Sequence, residues 1–269
     1  MIIVFVVVFP IFPAISLVGD YSDLSEWFMA LVMPSITLAL VMSVYAVRML
    51  RDNLIEVDYL DNYFKDRVYI FLSKHMSKNN IPAITAHFTG NFSSDNQFGG
   101  NPNEIAITFP SLHKNLIKEL WNKRDKVTDY EVITEPTHHG PTNLTNPMIF
   151  LELGSTIKNW TDKKAGKIIG ETLIECINNF KFAKKIAIAL GGPHYSQKFT
   201  EILIESEYAI GTIVPKYALP YINEETYKSI IKQTIEKIEY VIIDWKGLGK
   251  EKQRIMEIIN KYDLAIIKI

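Results

Sequence analysis

Residues 186 to 199 read IAIALGGPHYSQKF and combine a strand, a turn and the start of a helix. The small and β-branched apolar residues from Ile186 to Leu190 predict a buried strand. Gly191 and Gly192 interrupt this run, and helical spacing resumes near Gln197. A buried strand followed by a glycine turn and a helix is the repeating unit of α/β proteins, so this stretch predicts that fold class.

The same alternation of strand and helix extends in both directions along the chain. Further strands are predicted at 68–72, 105–109, 131–134, 149–153, 209–214, 240–243 and 264–268. Helices are predicted at 111–123, 157–180, 224–237 and 250–262. The expected fold is therefore α/β, with a mixed sheet flanked by helices.

Composition narrows the chemistry that the chain can perform. The 269 residues include a single cysteine, Cys176, which excludes a disulfide framework and any metal site built from several cysteines. The formal net charge of -1 neither requires nor excludes a nucleic-acid partner. The sequence has no GxSxG, Walker or GxGxxG motif, so serine-hydrolase, P-loop and dinucleotide-binding functions lack support.

Five of the six histidines lie in loops or at strand ends, and only His113 is placed in a helix. The five are His75, His87, His138, His139 and His194. Loops at the carboxyl ends of strands converge in an open α/β sheet, so these side chains are expected in one crevice. A single histidine in a loop is more often a solvated or capping residue than a functional one.

Two glutamates are candidate partners of these histidines. Glu152 ends a predicted strand before a Gly-Ser turn, and Glu135 ends another just before the histidine pair. Neutral imidazole together with a carboxylate suits Zn²⁺, which activates a water at an open coordination position. No strict metal motif such as HExxH is present, so ordinary strand-end acids remain the alternative.

The glycine turn after the strand 186–190 is a candidate anion site. Gly191 and Gly192 allow a close approach of the backbone, and amides at a helix start favour a phosphate or a developing oxyanion. An ordinary strand-to-helix turn explains the two glycines equally well. Lys198 and Lys216 would add positive charge to the crevice, although a lysine is most often simply exposed.

The first 60 residues differ from the rest of the chain. Trp27 to Val47 is a run of 21 uncharged residues, which is long enough to span a bilayer as a helix. Met1 to Gly19 is also uncharged, but it lacks the marks of a cleaved signal peptide. Arg48 and Arg51 follow the longer run, so the positive-inside rule places the rest of the chain in the cytoplasm. A buried helix of a soluble protein is the alternative.

Within this region, residues 33 to 60 read MPSITLALVMSVYAVRMLRDNLIEVDYL. They resemble the segment of oligopeptide and dipeptide ABC-transporter permeases in which a Pro-led apolar helix ends in arginine. The resemblance covers about residues 10–60 and implies membrane attachment through residues 1–47. A working permease needs more spanning helices, and no apolar run of that length follows residue 61.

Six motifs in the rest of the chain resemble, in order and spacing, the archaeal and plant type of D-aminoacyl-tRNA deacylase. They are KHMSKNNIPAITAHFTGNF from 74, ITEPTHHGPT from 133, FLELGS from 150, ALGGPHY from 189, IVPKYA from 213 and VIIDWKG from 241. The glycine pair at 99 and 100 accompanies them. The resemblance covers about residues 57–269 and implies hydrolysis of the ester between a D-amino acid and tRNA. It also implies Zn²⁺, a monomer, and a peptidyl-tRNA hydrolase-like core joined to a phosphorylase-like sheet.

The resemblance assigns residues by position to three groups. The catalytic residues are His138, His139 and His194. The metal ligands are His75, His87, His138, Glu152 and His194. The substrate-binding residues are Thr89, Gly191, Gly192, Lys198 and Lys216, with the two glycines near the oxyanion and Lys198 on the tRNA backbone.

The start of the chain departs from this family pattern. Family members open with a soluble strand, a helix and further strands, whereas here the permease-like segment occupies residues 1–56. We therefore expect apolar helices over residues 1–56, followed by a deacylase domain at 57–269 without its usual opening segment. Two alternatives remain open: an inactive fusion of a permease fragment with a deacylase remnant, and a generic zinc-dependent hydrolase that does not require tRNA.

Overall fold

The computed structural model describes residues 4–10, 46–50, 57–62 and 67–269, the first two ranges through their backbone alone. The described residues form two β-sheets with α-helices packed against them.

The larger sheet is mixed and has six described strands in the order β2-β1-β3-β6-β4-β5. Their bounds are β1 Val4–Pro10, β2 Ala46–Leu50, β3 Arg67–His75, β4 Ala83–His87, β5 Glu131–Thr134 and β6 Met148–Gly154. β3 runs parallel to β6, and β4 runs antiparallel to it. β6 is buried along its whole length because it lies between these two strands and packing covers both of its faces.

The smaller sheet has four parallel strands in the order β10-β9-β7-β8. Their bounds are β7 Lys185–Leu190, β8 Tyr208–Val214, β9 Tyr240–Ile243 and β10 Ala265–Lys268. The chain continues from β7 to β8 on one side and later returns to the other side of β7 as β9. This reversal creates a topological switch point at the carboxyl end of β7, where the GGPHY turn begins.

Six α-helices lie between residues 67 and 269 of the described chain. They are α1 Pro110–Asn122, α2 Ile157–Trp160, α3 Lys163–Asn178, α4 Gln197–Glu205, α5 Glu224–Lys232 and α6 Lys252–Ile259. Asp162, Ser196 and Asn223 accept hydrogen bonds from first-turn amides of α3, α4 and α5. These caps determine where the three helices begin.

One hydrophobic core joins the two sheets. It combines residues of β3, β4 and β6 with α1, α3, α4 and residues of β7 and β8. A second cluster covers the other face of the smaller sheet with α5 and α6. A third cluster, around Phe71 and Phe150, lies on the other face of the larger sheet. The polar site described below continues from this third cluster.

The sequence located most of these elements. The strands predicted at 131–134 and 240–243 match β5 and β9, and five others agree within three residues. The strand predicted at 105–109 is wrong, because Ile105 and Thr108 form only isolated bridges and Pro110 begins α1 directly afterwards. β4 lies in a segment that we assigned to a loop, since its five residues are all buried and show no alternation. The helix predicted at 157–180 is divided at Asp162, which caps α3.

The apolar helices expected at the start of the chain are wrong for the residues described there. Val4–Pro10 forms β1, which pairs antiparallel with both β2 and β3. Its valines and phenylalanines favour a strand once the edge of β3 offers hydrogen-bond partners. β1 therefore lies in the same sheet as the domain that we expected to begin at residue 57.

The bilayer-spanning helix predicted at 27–47 lies outside the described residues, apart from Ala46 and Val47, which belong to β2. Across the part of the chain that the structure describes, no helix is long and apolar enough to cross a membrane.

Candidate active site

Glu135 lies at the centre of a polar cluster at the junction of the two sheets. It follows β5 directly, and its side chain is 1% exposed. One carboxylate oxygen lies 3.0 Å from Nδ1 of His75, which ends β3. The other lies 3.1 Å from Nε2 of His194 and 3.6 Å from Nε2 of His138. Residues from both sheets thus meet at one buried carboxylate.

Glu152 in β6 provides a second carboxylate beside the first. Its Oε2 lies 3.5 Å from Nδ1 of His75 and 3.7 Å from Nε2 of His87, and its other oxygen accepts a hydrogen bond from Ser73. Glu152 and Phe150 point to the same face of the sheet because side chains alternate along a strand. Across the β4–β6 pair, His87 stacks on Phe150 with ring centroids 5.5 Å apart.

The loop between β5 and β6, residues 135–147, carries the pair His138 and His139 and is called here the histidine loop. It is tied to the smaller sheet. The amide of Thr137 donates to the carbonyl of Ile213 in β8, and the amide of Ile213 donates back to the Thr137 hydroxyl. Nδ1 of His138 donates to the Pro136 carbonyl at 2.7 Å, which leaves Nε2 facing Glu135. His139 has a φ of 45° and turns its ring toward that of His87, with centroids 4.9 Å apart.

The two carboxylates are held in their ionised form. Burial alone raises the pKa of Glu135, but the contacts with His194 and His75 outweigh it and keep the pKa well below its usual range. Burial also raises the pKa of Glu152, and the contacts with His75 and His87 reverse that effect. The attraction of the neighbouring histidines therefore outweighs desolvation at both glutamates.

The imidazoles divide into two groups by their surroundings. Burial first and the neighbouring His87 second lower the pKa of His138 well below its usual value, and they lower that of His139 to about 4. Burial also lowers the pKa of His75, but its contacts with the two glutamates outweigh that effect and raise the pKa to about 11. Burial likewise lowers the pKa of His87, but its contact with Glu152 outweighs that effect and raises the pKa. Before any ligand binds, the site therefore combines imidazoles with lowered pKa and imidazoles with raised pKa.

Several buried atoms of this cluster lack a directed hydrogen bond. Both carboxylate oxygens of Glu135 and Nε2 of His87 are in this position, although histidine nitrogens approach Glu135 to ion-pair distance. Such atoms are costly to bury unless a bound group satisfies them. Among the described residues, three sets of ligand atoms lie within 4.8 Å of one another: His75, Glu135 and Glu152; Glu135, His138 and His194; and His87, His138 and His139. Zn²⁺ takes imidazole nitrogen and carboxylate oxygen as ligands, so the residues fit this metal.

The glycine turn is used in packing, and one of its two amides is already engaged. The amide of Gly191 donates to the carbonyl of Val214 at 2.9 Å, so it is not free to hold an oxyanion. The carbonyl of Gly192 accepts from the amide of Lys216, and a Cβ on Gly192 would lie 2.6 Å from the Phe199 ring. The two glycines therefore serve the close packing of β7, β8 and α4.

The remaining residues predicted to bind substrate are Lys198, Lys216 and Thr89, and their surroundings differ. Lys198 forms an ion pair with Asp244 at 2.8 Å, and the exposed Lys216 lies beside the glycine turn. Thr89 is fully buried, and its hydroxyl donates to the Pro141 carbonyl at 2.5 Å. The hydroxyl of Thr89 thus supports the loop that carries the histidine pair, and the contact of Thr89 with substrate stays a prediction.

The site includes residues that the sequence did not assign to it. Glu135 was noted only as a possible carboxylate, and its central position follows from the packing of both sheets against it. Tyr195 and Tyr217 were missed, and their hydroxyls lie 2.6 Å from Nε2 of His75 and 3.3 Å from Nδ1 of His194. Their only sequence signal is their position inside the ALGGPHY and IVPKYA motifs.

The arrangement of motifs around Glu135 agrees with a family comparison. The family model described as D-aminoacyl-tRNA deacylase matches residues 63–267. The chain belongs to this deacylase family. The match begins after β2 and extends from β3 into β10.

Several archaeal proteins named D-aminoacyl-tRNA deacylase are similar to this member of the family. The protein from Cenarchaeum symbiosum is 36% identical over 213 residues, which cover 79% of this chain and 82% of the relative. The protein from Methanocaldococcus jannaschii is 41% identical over 202 residues, covering 70% and 77%. A crystal structure described as a conserved protein of unknown function has a TM-score of 0.78 and is 28% identical, covering 84% of this deacylase chain and 80% of its own.

Proposed function

We propose that the chain hydrolyses the ester bond of D-aminoacyl-tRNA and releases a free D-amino acid and tRNA. The observation that carries this proposal is the Glu135 cluster, in which the family motifs of both sheets meet. A site for ester hydrolysis needs a neutral base, a proton donor near the leaving group and a place for an activated water. The cluster offers residues for each of these tasks.

His138 is the candidate base. Its imidazole is neutral at neutral pH, and Nδ1 is occupied by the Pro136 carbonyl, so Nε2 is free to accept a proton from water. Glu135 lies 3.6 Å from Nε2 and stabilises the positive charge that then develops on His138.

His194 is the candidate proton donor to the ribose oxygen. Its side chain is 39% exposed, so it reaches the solvent-facing side of the cluster where a large substrate must enter. The bond from water oxygen to the carbonyl carbon forms, and the ester bond to the ribose oxygen breaks. The proton taken by His138 is balanced by the one that His194 delivers to the ribose oxygen.

Zn²⁺ is proposed as the cofactor, and its chemistry would be to lower the pKa of a bound water and polarise the ester carbonyl. His75, Glu135 and Glu152 form the most deeply buried of the three ligand sets. This set leaves His138 and His194 for proton transfer, whereas the expected set of His75, His87, His138, Glu152 and His194 uses both as ligands. His87 has a buried nitrogen without a directed partner and is a further candidate ligand.

The remaining proposals concern the setting of the enzyme. We propose a monomer that acts on D-aminoacyl-tRNA in the cytoplasm, with a peptidyl-tRNA hydrolase-like core joined to a phosphorylase-like sheet. The division into residues 1–56 and 57–269 is kept as a proposal for the permease-like resemblance, although β1 pairs with β3 across it. Membrane attachment through residues 1–47 stays a prediction.

Release of D-Tyr from D-Tyr-tRNA tests the proposed function, with L-Tyr-tRNA and D-Tyr ethyl ester as the compared substrates. We expect D-selective, tRNA-dependent hydrolysis that a chelator removes and Zn²⁺ restores. His194→Ala should lower kcat by about 10²–10⁴-fold, the usual contribution of acid–base catalysis. Equal turnover of the ethyl ester would favour a generic zinc hydrolase. An inactive but folded chain would favour the inactive fusion, and full activity without metal would exclude the proposed zinc.

A further inference from the structure

The solvent-facing side of the cluster, where His138 and His194 are partly exposed, is here called the mouth. Large hydrophobic side chains are exposed at residues close to the mouth. Met76 follows His75 and is 77% exposed, and Tyr217 is 52% exposed beside His194. Phe98 is 67% exposed, and its carbonyl accepts a hydrogen bond from the amide of Gly140, next to His139. Exposed apolar groups gathered around a site are typical of a surface that binds a partner.

The loop that carries Phe98 is held firmly against the histidine loop. The side chain of Asn91 donates to the carbonyls of Gly99 and Asn101 at 2.8 and 3.1 Å. The amide of Asn101 donates to the Thr142 hydroxyl at 2.8 Å. A Cβ on Gly140 would lie 2.2 Å from the amide nitrogen of Gly100, so the two loops touch through their backbones. These contacts hold the backbone at Phe98 in a defined place, while its ring is exposed.

Among the exposed side chains at the mouth, Phe98 has the most available aromatic face. Tyr217 is engaged with His194 through its hydroxyl and lies nearly parallel to that imidazole, at an interplanar angle of 24°. Met76 has no aromatic face. Among the described residues, no other ring stacks on Phe98. An exposed ring on a rigid loop binds a flat partner at little cost in conformational entropy.

We propose that Phe98 stacks on the adenine base of the 3′-terminal nucleotide of the tRNA. This inference rests on the proposed function, because the ester to be cut is attached to the ribose of that nucleotide. When the ester carbonyl lies at His138, the base attached to the same ribose must lie at the mouth. Stacking on an aromatic side chain suits an unpaired base, since every base has a π-face. Phe98 is therefore a positioning residue and takes no part in proton transfer.

Kinetics with altered enzyme and altered substrate test this contact. Phe98→Ala is expected to raise KM for D-Tyr-tRNA about tenfold, within the range of one lost base–aromatic stack, and to change kcat less than about twofold. Phe98→Trp should keep the KM of the unaltered chain, because indole offers a larger face. Phe182→Ala is the matched control, since Phe182 is 56% exposed but precedes the amino end of β7, away from the mouth. Its KM should not change.

A second substrate separates stacking from a structural effect of the substitution. The second substrate is a D-Tyr-tRNA whose terminal nucleotide keeps its ribose and ester but lacks the base. The unaltered chain should show about a tenfold higher KM for it, whereas Phe98→Ala should show no further increase. Three results would each overturn the contact. The KM increases from Phe98→Ala and from the missing base could multiply when combined. The KM for D-Tyr-tRNA could be unchanged in Phe98→Ala, or it could rise equally in Phe182→Ala. Failure of the unaltered chain to hydrolyse D-Tyr-tRNA would instead refute the proposed function, and this inference with it.

Discussion

Glu135 shows how a single residue organises the site. A carboxylate that is 1% exposed is unfavourable unless positive or hydrogen-bonding groups surround it. His75, His138 and His194 supply those groups from three different segments of the chain. The same contacts that offset the desolvation of Glu135 also aim the three imidazoles at one point.

Replacement of this carboxylate by its amide is the most direct test of that role. Glu135→Gln keeps the size of the side chain but removes the charge that stabilises a protonated His138. We expect kcat on D-Tyr-tRNA to fall by about 10²–10⁴-fold and zinc affinity to fall with it. Glu131→Gln is the control, because Glu131 is an exposed acid at the start of the same strand. A Glu135→Gln variant with the kcat of the unaltered chain would show that the carboxylate is dispensable.

His113 is the one histidine outside the cluster, and it contributes to pH-dependent stability. It is fully buried in α1, where Nδ1 donates to the carbonyl of Ile210 and Nε2 lies 2.8 Å from the Thr134 hydroxyl. Burial lowers the pKa of His113 to about 4, whereas an unfolded histidine titrates near 6.5. The unfolded chain therefore binds the proton first as the pH falls.

The contribution of neutral His113 to folding stability is fully present above about pH 6.5 and is lost as the pH falls toward 4. We expect the thermal midpoint of the unaltered chain to decrease across this window more steeply than that of His113→Gln. Both proteins are measured in the same metal-free buffer, so that the site histidines contribute equally to each. Parallel curves would mean that His113 does not remain neutral in the folded state.

At the scale of elements, the site depends on the contact between the 91–104 loop and the histidine loop. Gly140 lies at this contact, where a Cβ would be 2.2 Å from one backbone atom and 2.3 Å from another. The side chain of Asn91 donates to the Gly99 carbonyl, and the amide of Gly140 donates to the Phe98 carbonyl. The backbone between these bonds cannot move away without opening the loop.

Gly140→Ala should therefore displace the 91–104 loop. We expect a lower thermal midpoint and a lower kcat/KM on D-Tyr-tRNA, because His139 and Phe98 are both attached to the displaced backbone. Gly170→Ala is the matched control, since Gly170 lies in α3 with no atom within 4 Å of the added Cβ. That variant should be neutral or more stable by about 0.5–1 kcal/mol, the gain from glycine to alanine in a helix. Equal stability of the two variants would contradict the loop contact.

The pairing of β1 is a second feature at this scale. β1 lies between β2 and β3, and Val7 pairs with Val47 on one side and Ile70 on the other. Proline at position 7 would remove the backbone N–H from an interior strand, which sheets tolerate poorly. Without β1, the edge of β3 would be open to pairing with other chains.

Val7→Pro should destabilise the protein by about 1–3 kcal/mol, the cost of leaving one acceptor inside the sheet unpaired. Val7→Thr keeps both the N–H and the β-branched shape, so it should have a much smaller effect. Chemical denaturation of the two variants measures the difference. If Val7→Pro and Val7→Thr had the same free energy of unfolding, β1 would not contribute to the stability of the sheet.

At the scale of the whole molecule, the active site exists because two sheets meet. The larger sheet brings His75, His87, Glu135 and Glu152, and the switch point of the smaller sheet brings His194. The reciprocal hydrogen bonds of Thr137 and Ile213 connect the two contributions. A hydrophobic core that includes strands of both sheets keeps their relative position.

The sequence by itself determined the elements whose local pattern has one interpretation. Apolar runs bounded by turn residues located β5 and β9, and helical spacing located α1 and most of α3. The position of the five cluster histidines in loops, within motifs that resemble those of the deacylase family, singled them out from the sequence. Local pattern misled where a partner decides the outcome, as at β4 and at β1, since a strand is stable only when another strand satisfies its hydrogen bonds.

Only the tertiary structure decided which residues meet. Glu135 became the central ligand candidate because strands distant in sequence place His75 and His194 on either side of it, and no sequence period records that distance. The amide of Gly191 and the hydroxyl of Thr89, both from predicted substrate-binding residues, already donate to neighbouring backbone carbonyls. Hydrogen-bonding capacity is finite, so what a residue can offer a ligand depends on what the folded chain has left free.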